Sequence, residues 1–320
     1  MDHLVQVTNL KKYFYQGGGP FTKKEAIKAL DDVSFCINRN EILGLVGESG
    51  CGKTTCGKLI LRLLNPTAGT ICFDGQDITH LKQKELTEIR KKMMIIYQDP
   101  YGSLDPRMTI GAAIAEPMEV HHLTQSKDEK ENRIIELMEK VGLTSDQINR
   151  YPHEFSGGQR QRIGIARALA TNPTFIVADE PVSALDVSIQ AQIINLLKDL
   201  QKDFGLTLLF ITHDLSVIKH TSDRIAVMYA GKLVELASKQ DLFSEPLHPY
   251  TRALLSAIPV PDPERQTPYI PLTGEVPSLI HPPPGCRFHP RCIRARPECS
   301  SREPGLQEVK KDHFVACCPS

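Results

Sequence analysis

Residues Gly47-Glu48-Ser49-Gly50-Cys51-Gly52-Lys53-Thr54 fit the spacing Gly-x-x-x-x-Gly-Lys-[Ser/Thr]. Each fixed type has a chemical reason. Glycine lets backbone N–H groups turn inward around a phosphate chain, and the helix that follows aims its positive end at the same charge. Lys53 supplies a point charge for β- and γ-phosphates, and Thr54 a hydroxyl for Mg²⁺. A second acidic element completes a phosphoryl-transfer set. The apolar run Phe175-Ile176-Val177-Ala178 ends in Asp179-Glu180, so one carboxylate can hold Mg²⁺ and the next can polarise an attacking water. Cys51 lies near the start of that helix and near Lys53. Both features lower a thiol's pKa and predict a reactive thiolate that bound MgATP would protect, with an inert packed thiol as the alternative.

These residues need strands and helices to place them. Residues 42–46 form a short buried strand that runs into the glycine loop, and 53–64 have helical spacing stopped by Asn65-Pro66. Further buried strands are expected at 175–178, 206–211 and 225–228, with a helix over 188–203. That alternation predicts a parallel sheet covered by helices. Segments 5–10 and 33–37 alternate apolar and polar residues and read as antiparallel strands. Residues 110–170 read as helices without obvious strands, a helical insertion in the sheet.

Composition limits the function classes. The chain has 320 residues, 41% hydrophobic and 24% charged, an ordinary globular balance. No apolar run approaches the roughly 18 residues that cross a bilayer, and the start has no basic region followed by an apolar stretch, so a cytoplasmic protein without a secretion signal is expected. With 38 basic and 38 acidic residues, the net charge argues against a general nucleic-acid or membrane-surface binder. Thirteen of the 23 prolines fall in 259–320, and five of nine cysteines, Cys286, Cys292, Cys299, Cys317 and Cys318, crowd the end. A boundary near Pro259 is expected. Four thiolates can hold an iron–sulfur cluster or zinc, and disulfides are not expected in a reducing cytoplasm.

Phe155-Ser156-Gly157-Gly158-Gln159-Arg160-Gln161 resembles the signature sequence of ABC ATPases, and its order relative to the other motifs matches that family. Gln98 resembles the Q-loop glutamine, Ser183-Ala184-Leu185-Asp186 the D-loop, His213 the switch histidine, and Phe14 the aromatic that stacks on adenine, with Tyr13 the alternative. An isolated Ser-Gly-Gly, Gln or His carries no such meaning; the ordered set does. The resemblance implies an α/β P-loop ABC nucleotide-binding domain: a RecA-like core, an antiparallel β subdomain and a helical subdomain at about 100–170, all within 1–258, followed by a small Cys/Pro-rich extension over 259–320. It implies Glu180 and His213 as catalytic residues. Phe14, residues Gly47, Glu48, Ser49, Gly50, Cys51, Gly52, Lys53, Thr54 and Thr55, and Gln98 would contact ATP. Thr54, Gln98 and Asp179 would hold Mg²⁺. Ser156, Gly157, Gly158, Gln159 and Asp186 would face the ATP of a partner subunit, so that ATP closes a dimer and hydrolysis reopens it.

The stretches Tyr97-Gln98-Asp99-Pro100-Tyr101-Gly102-Ser103-Leu104-Asp105-Pro106-Arg107, Tyr151-Pro152-His153-Glu154-Phe155 and Pro246-Leu247-His248-Pro249-Tyr250-Thr251-Arg252 resemble the oligopeptide/dipeptide importer ATPases, and their F-type subunit rather than the D-type. Nickel and glutathione importers share many of these motifs and remain alternative substrate classes. A soluble ABC ATPase without a transport role is the other reading; such proteins usually carry two nucleotide domains or a coiled-coil insert. The importer resemblance implies a paralogous D-type ATPase, two membrane permease subunits and an extracytoplasmic peptide-binding protein as partners, and a place on the cytoplasmic face of the membrane. It also implies a [4Fe–4S] cluster on Cys286, Cys292, Cys299 and Cys317, Cys317 being chosen over Cys318 by the family's Ala-Cys ending, with zinc as the alternative.

Overall fold

The computed structural model describes residues 2–17, 24–258 and 269–317; the boundary at Pro259 and Cys318 lie outside them. Strands β1 (His3–Gln16) and β2 (Glu25–Asn38) form a long hairpin. β3 (Ile42–Val46) leads through the glycine loop into α1 (Lys53–Ile60). β4 (Ala68–Phe73) and β5 (Gln76–Asp77) return to the hairpin, and α2 (Gln83–Arg90) precedes β6 (Met93–Ile96). Helices α3 (Ile110–Val120), α4 (Lys127–Lys140) and α5 (Gly157–Leu169) follow without an intervening strand. Then come β7 (Phe175–Asp179), α6 (Val187–Phe204), β8 (Thr207–Thr212), α7 (Leu215–Thr221) and β9 (Arg224–Tyr229). β10 (Lys232–Ser238), α8 (Lys239–Ser244), α9 (Pro249–Ser256), β11 (Gln307–Lys310) and β12 (His313–Val315) complete the chain.

Two sheets result. One is antiparallel, in the order β2-β1-β4-β5; the other runs β11-β12-β10-β9-β3-β8-β7-β6. In the larger sheet β9, β3, β8, β7 and β6 are parallel neighbours. That is the α/β arrangement the apolar runs predict, because strands buried on both faces need helices or a second sheet over them. Leu43 and Leu45 of β3 share a core with Cys56, Leu59 and Ile60 of α1 and with Leu4 and Val7 of the antiparallel sheet. Residues from the other face, Ile42, Ile176 and Leu208, pack with α3, α5 and α6. The larger sheet is thus the central layer, and its strand ends carry the loops that matter.

Three expectations need adjustment. The first helix ends at Ile60 rather than 64. Arg62 adopts a left-handed backbone (φ 52), and its guanidinium donates to the carbonyls of Ile78 and Leu64 and to Asn65 Oδ1, which satisfies groups a continuing helix would bury. The N-terminal strands run well beyond 5–10 and 33–37. Register shifts at Leu10 and Lys12 and positive φ at Asn9 and Asp32 break the alternation that marks a strand in sequence. Finally, the proline-rich tail extends the main sheet: β12 pairs with β10 through Glu235↔Val315 and Leu236↔Phe314. Buried Glu235 locks the junction, accepting from the amides of Leu247 and His248 at 2.7 and 3.0 Å and lying 2.7 Å from His313 Nε2.

Candidate phosphate-binding and hydrolytic site

The phosphate loop leaves the C-terminal end of β3 and closes at the N-terminus of α1. Glycine is required at its entry. Gly47 has φ 154, and a Cβ there would sit 2.2 Å from the Met228 carbonyl; at Gly52 (φ 108) a Cβ would sit 2.4 Å from that of Ala29. The Gly231 amide donates to the Cys51 carbonyl, tying the loop to the β9–β10 turn. Lys53 is buried, 4% exposed, and its Nζ donates to the carbonyls of Gly47 (2.8 Å) and Glu48 (3.1 Å). These are weak acceptors that the stronger charge of a phosphate can displace. Ser49, Gly50, Thr54 and Thr55 line the same cavity of about 640 Å³, together with Gln98, Glu180 and His213. That volume lies within the range of small-ligand clefts.

The acidic end of β7 stands beside the loop. Thr54 Oγ1 donates to Asp179 Oδ1 at 2.8 Å, which brings together a hydroxyl and a carboxylate suited to a hard divalent cation. Burial pushes the Asp179 carboxyl up, against the Thr54 hydrogen bond and the charge of Lys58; a cation would reverse that cost. Glu180 turns the chain through a left-handed backbone (φ 47), held by donation of its amide to the Ile211 carbonyl and by Ser183 Oγ donating to its own carbonyl. Its Oε2 accepts from Gln98 Nε2 at 3.3 Å and lies 3.2 Å from His213 Nδ1. Three residues from β7, β8 and the segment after β6 therefore meet at the open side of the loop. A non-glycine residue held at positive φ is a strain the neighbours must stabilise, and such strain concentrates at functional sites.

Other expected residues fall elsewhere. Ser156 caps α5, its Oγ accepting from the Gln159 amide and Gln159 Oε1 accepting from the Ser156 amide. Gly158 packs so closely on α6 that a Cβ would lie 2.5 Å from Ile189. Ser156, Gly157 and Asp186 are exposed and do not line this chain's own loop cavity. Phe14, 38% exposed, is also outside the described cavity wall and has the Lys12 ammonium 5.0 Å from its ring centroid. Tyr13 is tied up by donating its hydroxyl to Asp31 at 2.5 Å. The reactive-thiolate expectation for Cys51 is corrected. The side chain is 1% exposed, points beneath the loop, and burial pushes its thiol up, outweighing Lys53.

Two residues distant in sequence also bear on this site. Tyr250 Oη accepts from the Glu48 amide at 2.9 Å, and Arg291 forks onto the Glu48 carboxylate at 2.7 and 3.1 Å. Tyr250 belongs to the Leu-His-Pro-Tyr run, whose unusual composition was the available signal. Beside it His248 is fully buried, its ring pushed down to about 3 by burial, and accepts from the Tyr250 amide. Nothing local marks Arg291, which lies 243 positions from its partner.

The tail makes a second cavity of about 360 Å³ with Cys286, Cys292, Cys299 and Cys317 on its wall, beside Arg252 and Arg294. Gly285, at φ 67, and donation of the Cys286 amide to the Cys299 carbonyl at 2.8 Å join the segments. Burial raises the Cys286 thiol to about 11, with smaller contributions from the other three thiols. Among the described residues no three His, Cys, Asp or Glu side chains converge on a point that would hold a single metal ion.

Residues 30–183 match the ABC transporter family and residues 234–299 the oligopeptide/dipeptide transporter C-terminal region. YkfD of Bacillus subtilis, whose name describes an oligopeptide transport ATP-binding protein, is 54% identical over 98% of this chain and 94% of its own length. The oligopeptide transport ATP-binding protein AppF of the same species is 51% identical over 98% of this chain and 96% of its own. Among solved structures, the dimeric ATP-binding cassette MJ0796 bound to ADP and Pi is 32% identical and superposes with a TM-score of 0.66, over 73% of this chain and 98% of that one.

Proposed function

This chain belongs to the ABC transporter ATPases, in the branch with the oligopeptide/dipeptide C-terminal region, and from that premise we propose that it hydrolyses ATP to power import of di- or oligopeptides through separate membrane subunits. The observation that carries the reading is the Glu180 carboxylate held between Gln98 and His213 at the mouth of the phosphate loop. Lys53 and the inward amides bind the β- and γ-phosphates. Thr54, Asp179 and Gln98 would hold Mg²⁺, which neutralises charge on the transferring phosphoryl group. Glu180 accepts a proton from the attacking water, and His213 orients that carboxylate. Ser156, Gly157, Gly158, Gln159 and Asp186 are assigned to the ATP of a partner subunit; the exposure of Ser156 and Gly157 leaves the α5 N-terminus open to another chain, and Asp186 is exposed at the start of α6. Phe14 is assigned to adenine stacking by its exposed ring.

The same reading divides the chain into a nucleotide-binding domain over 1–258, with its helical part at about 100–170, and an extension over 259–320. No helix among the described residues is long and apolar enough to cross a membrane. Transport therefore calls for permease subunits, and we place the protein peripherally on the cytoplasmic face, paired with a paralogous D-type ATPase and fed by an extracytoplasmic peptide-binding protein. Co-expressed with permease subunits of a peptide importer, the chain should co-purify with them and show peptide-stimulated ATPase. Stable assembly with stimulation by nickel chelates or glutathione instead would move the substrate class; no assembly at all would oppose a transport role.

We assign a [4Fe–4S] cluster to Cys286, Cys292, Cys299 and Cys317, whose four thiolates would hold it; bound there, it would clasp together a tail with few apolar residues. Anaerobically purified protein should be brown and carry about four irons per chain. Replacing any of the four by Ser should remove the colour while nucleotide binding persists. Stoichiometric zinc without iron would contradict the assignment.

A further inference from the structure

The phosphate loop is held from outside by the C-terminal extension. Arg291 lies between Cys286 and Cys292 in sequence, and its side chain is 6% exposed. Its fork donates twice to Glu48, the second residue of the loop, and Nη1 also donates to Tyr229 Oη at 3.2 Å. The guanidinium carbon lies 5.7 Å from the Tyr229 ring centroid, and Nε reaches the Thr273 carbonyl at 3.3 Å. Beneath it Tyr229, Tyr250 and Phe288 pack with ring centroids 4.7 to 5.4 Å apart, a stiff floor for a planar cation. Tyr250 takes the Glu48 amide. The amide and the carboxylate of Glu48 are thus both held by residues beyond β10, while its carbonyl accepts from Lys53.

The electrostatic consequence has a definite sign. Glu48 places a carboxylate in a loop whose purpose is to receive polyanionic phosphate. Unpaired, that charge would repel the ligand and pull the loop toward its own amides; paired in a bidentate fork, it is neutralised and its direction is fixed. We propose that Arg291 is a positioning residue for ATP: by neutralising Glu48 it lets the C-terminal extension set the nucleotide affinity of the phosphate loop. The inference rests on ATP occupying that loop, which Lys53→Ala tests separately.

The experiment compares full-length variants by equilibrium binding of a fluorescent ATP analogue with Mg²⁺, and by steady-state ATPase in the assembled transporter. Arg291→Ala should weaken binding about tenfold, the size expected for losing a charge-assisted pair, raising KM while leaving kcat at saturating ATP nearly unchanged. Arg291→Lys, which keeps charge but loses the fork, should fall between. The deciding variant is Arg291→Ala combined with Glu48→Gln. Removing the stranded carboxylate should restore affinity close to that of the unmodified protein. Continued weakness in the double variant would mean that Arg291 merely supports the fold, and wild-type affinity in Arg291→Ala would also overturn the proposal. If Arg291→Ala does not fold, Arg291→Lys with and without Glu48→Gln supplies the same comparison. Lys53→Ala run alongside should abolish binding; retained binding there would count against the loop as the ATP site itself, not against Arg291 alone.

Discussion

Replacing Glu180 by Gln is expected to stop turnover while leaving ATP bound. The amide has nearly the same shape and still meets Gln98 and His213, so the left-handed turn at Glu180 and the cavity wall persist. What it loses is the ability to accept a proton from water. General-base removal of this kind costs roughly 10²–10⁴ in rate, so kcat should collapse while ATP affinity stays within about twofold, the phosphate-binding groups being untouched. Single-turnover hydrolysis in the assembled complex, paired with equilibrium binding, separates the two. Near wild-type hydrolysis would remove Glu180 from the role of base. The reason to expect a large effect is geometric. Asp179 already bonds Thr54, and Glu48, which shares the cavity wall with Glu180, is paired with Arg291, so neither carboxylate is free to replace Glu180.

Ser156→Arg should produce a comparably large loss of hydrolysis by a different route. Ser156 and Gly157 start α5 at the surface, away from this chain's own loop. In the isolated chain the variant should therefore bind ATP normally. In the assembled complex, a long cation in place of the serine would obstruct the approach of the helix N-terminus to the partner's phosphate. Loss of preorganised donors to a developing phosphate charge costs about 10²–10³ in rate. The lost helix cap lowers stability by only about 1 kcal/mol, which a melting curve would register independently. Equal loss of ATP binding by the isolated chain would mean that Ser156 serves its own loop instead.

The parts of the site legible in sequence are those built from neighbours along the chain. The loop from Gly47 to Thr54 announces itself because four of its positions fix residue types, and the β7 end does so because Asp179 and Glu180 interrupt an apolar run. Strand β3 matches its expected limits, Ile42–Val46, since burial on both faces leaves little freedom in composition. Legibility fails where long-range contacts decide. Arg62 ends α1 early by reaching the Ile78 carbonyl. Strands β4, β5 and β6 are short and acquire their identity only from the partners beside them. For Cys51 the sequence leaves a reactive thiolate and an inert packed thiol both open, and only the depth of burial under the loop, invisible to local spacing, decides for the packed thiol. The Arg291–Glu48 pair, and that of Arg287 with Asp31, join the two ends of the chain, and no spacing rule can reveal them.

If ATP hydrolysed at this loop drives peptides through a membrane complex, transport itself must depend on the loop. The most direct test of that dependence is uptake of a labelled oligopeptide into vesicles bearing the chain, its partner ATPase and the permeases, with the peptide-binding protein outside and MgATP inside. Uptake should require ATP and disappear with Glu180→Gln. Uptake that proceeds equally with MgADP, or with the Glu180→Gln variant, would contradict it.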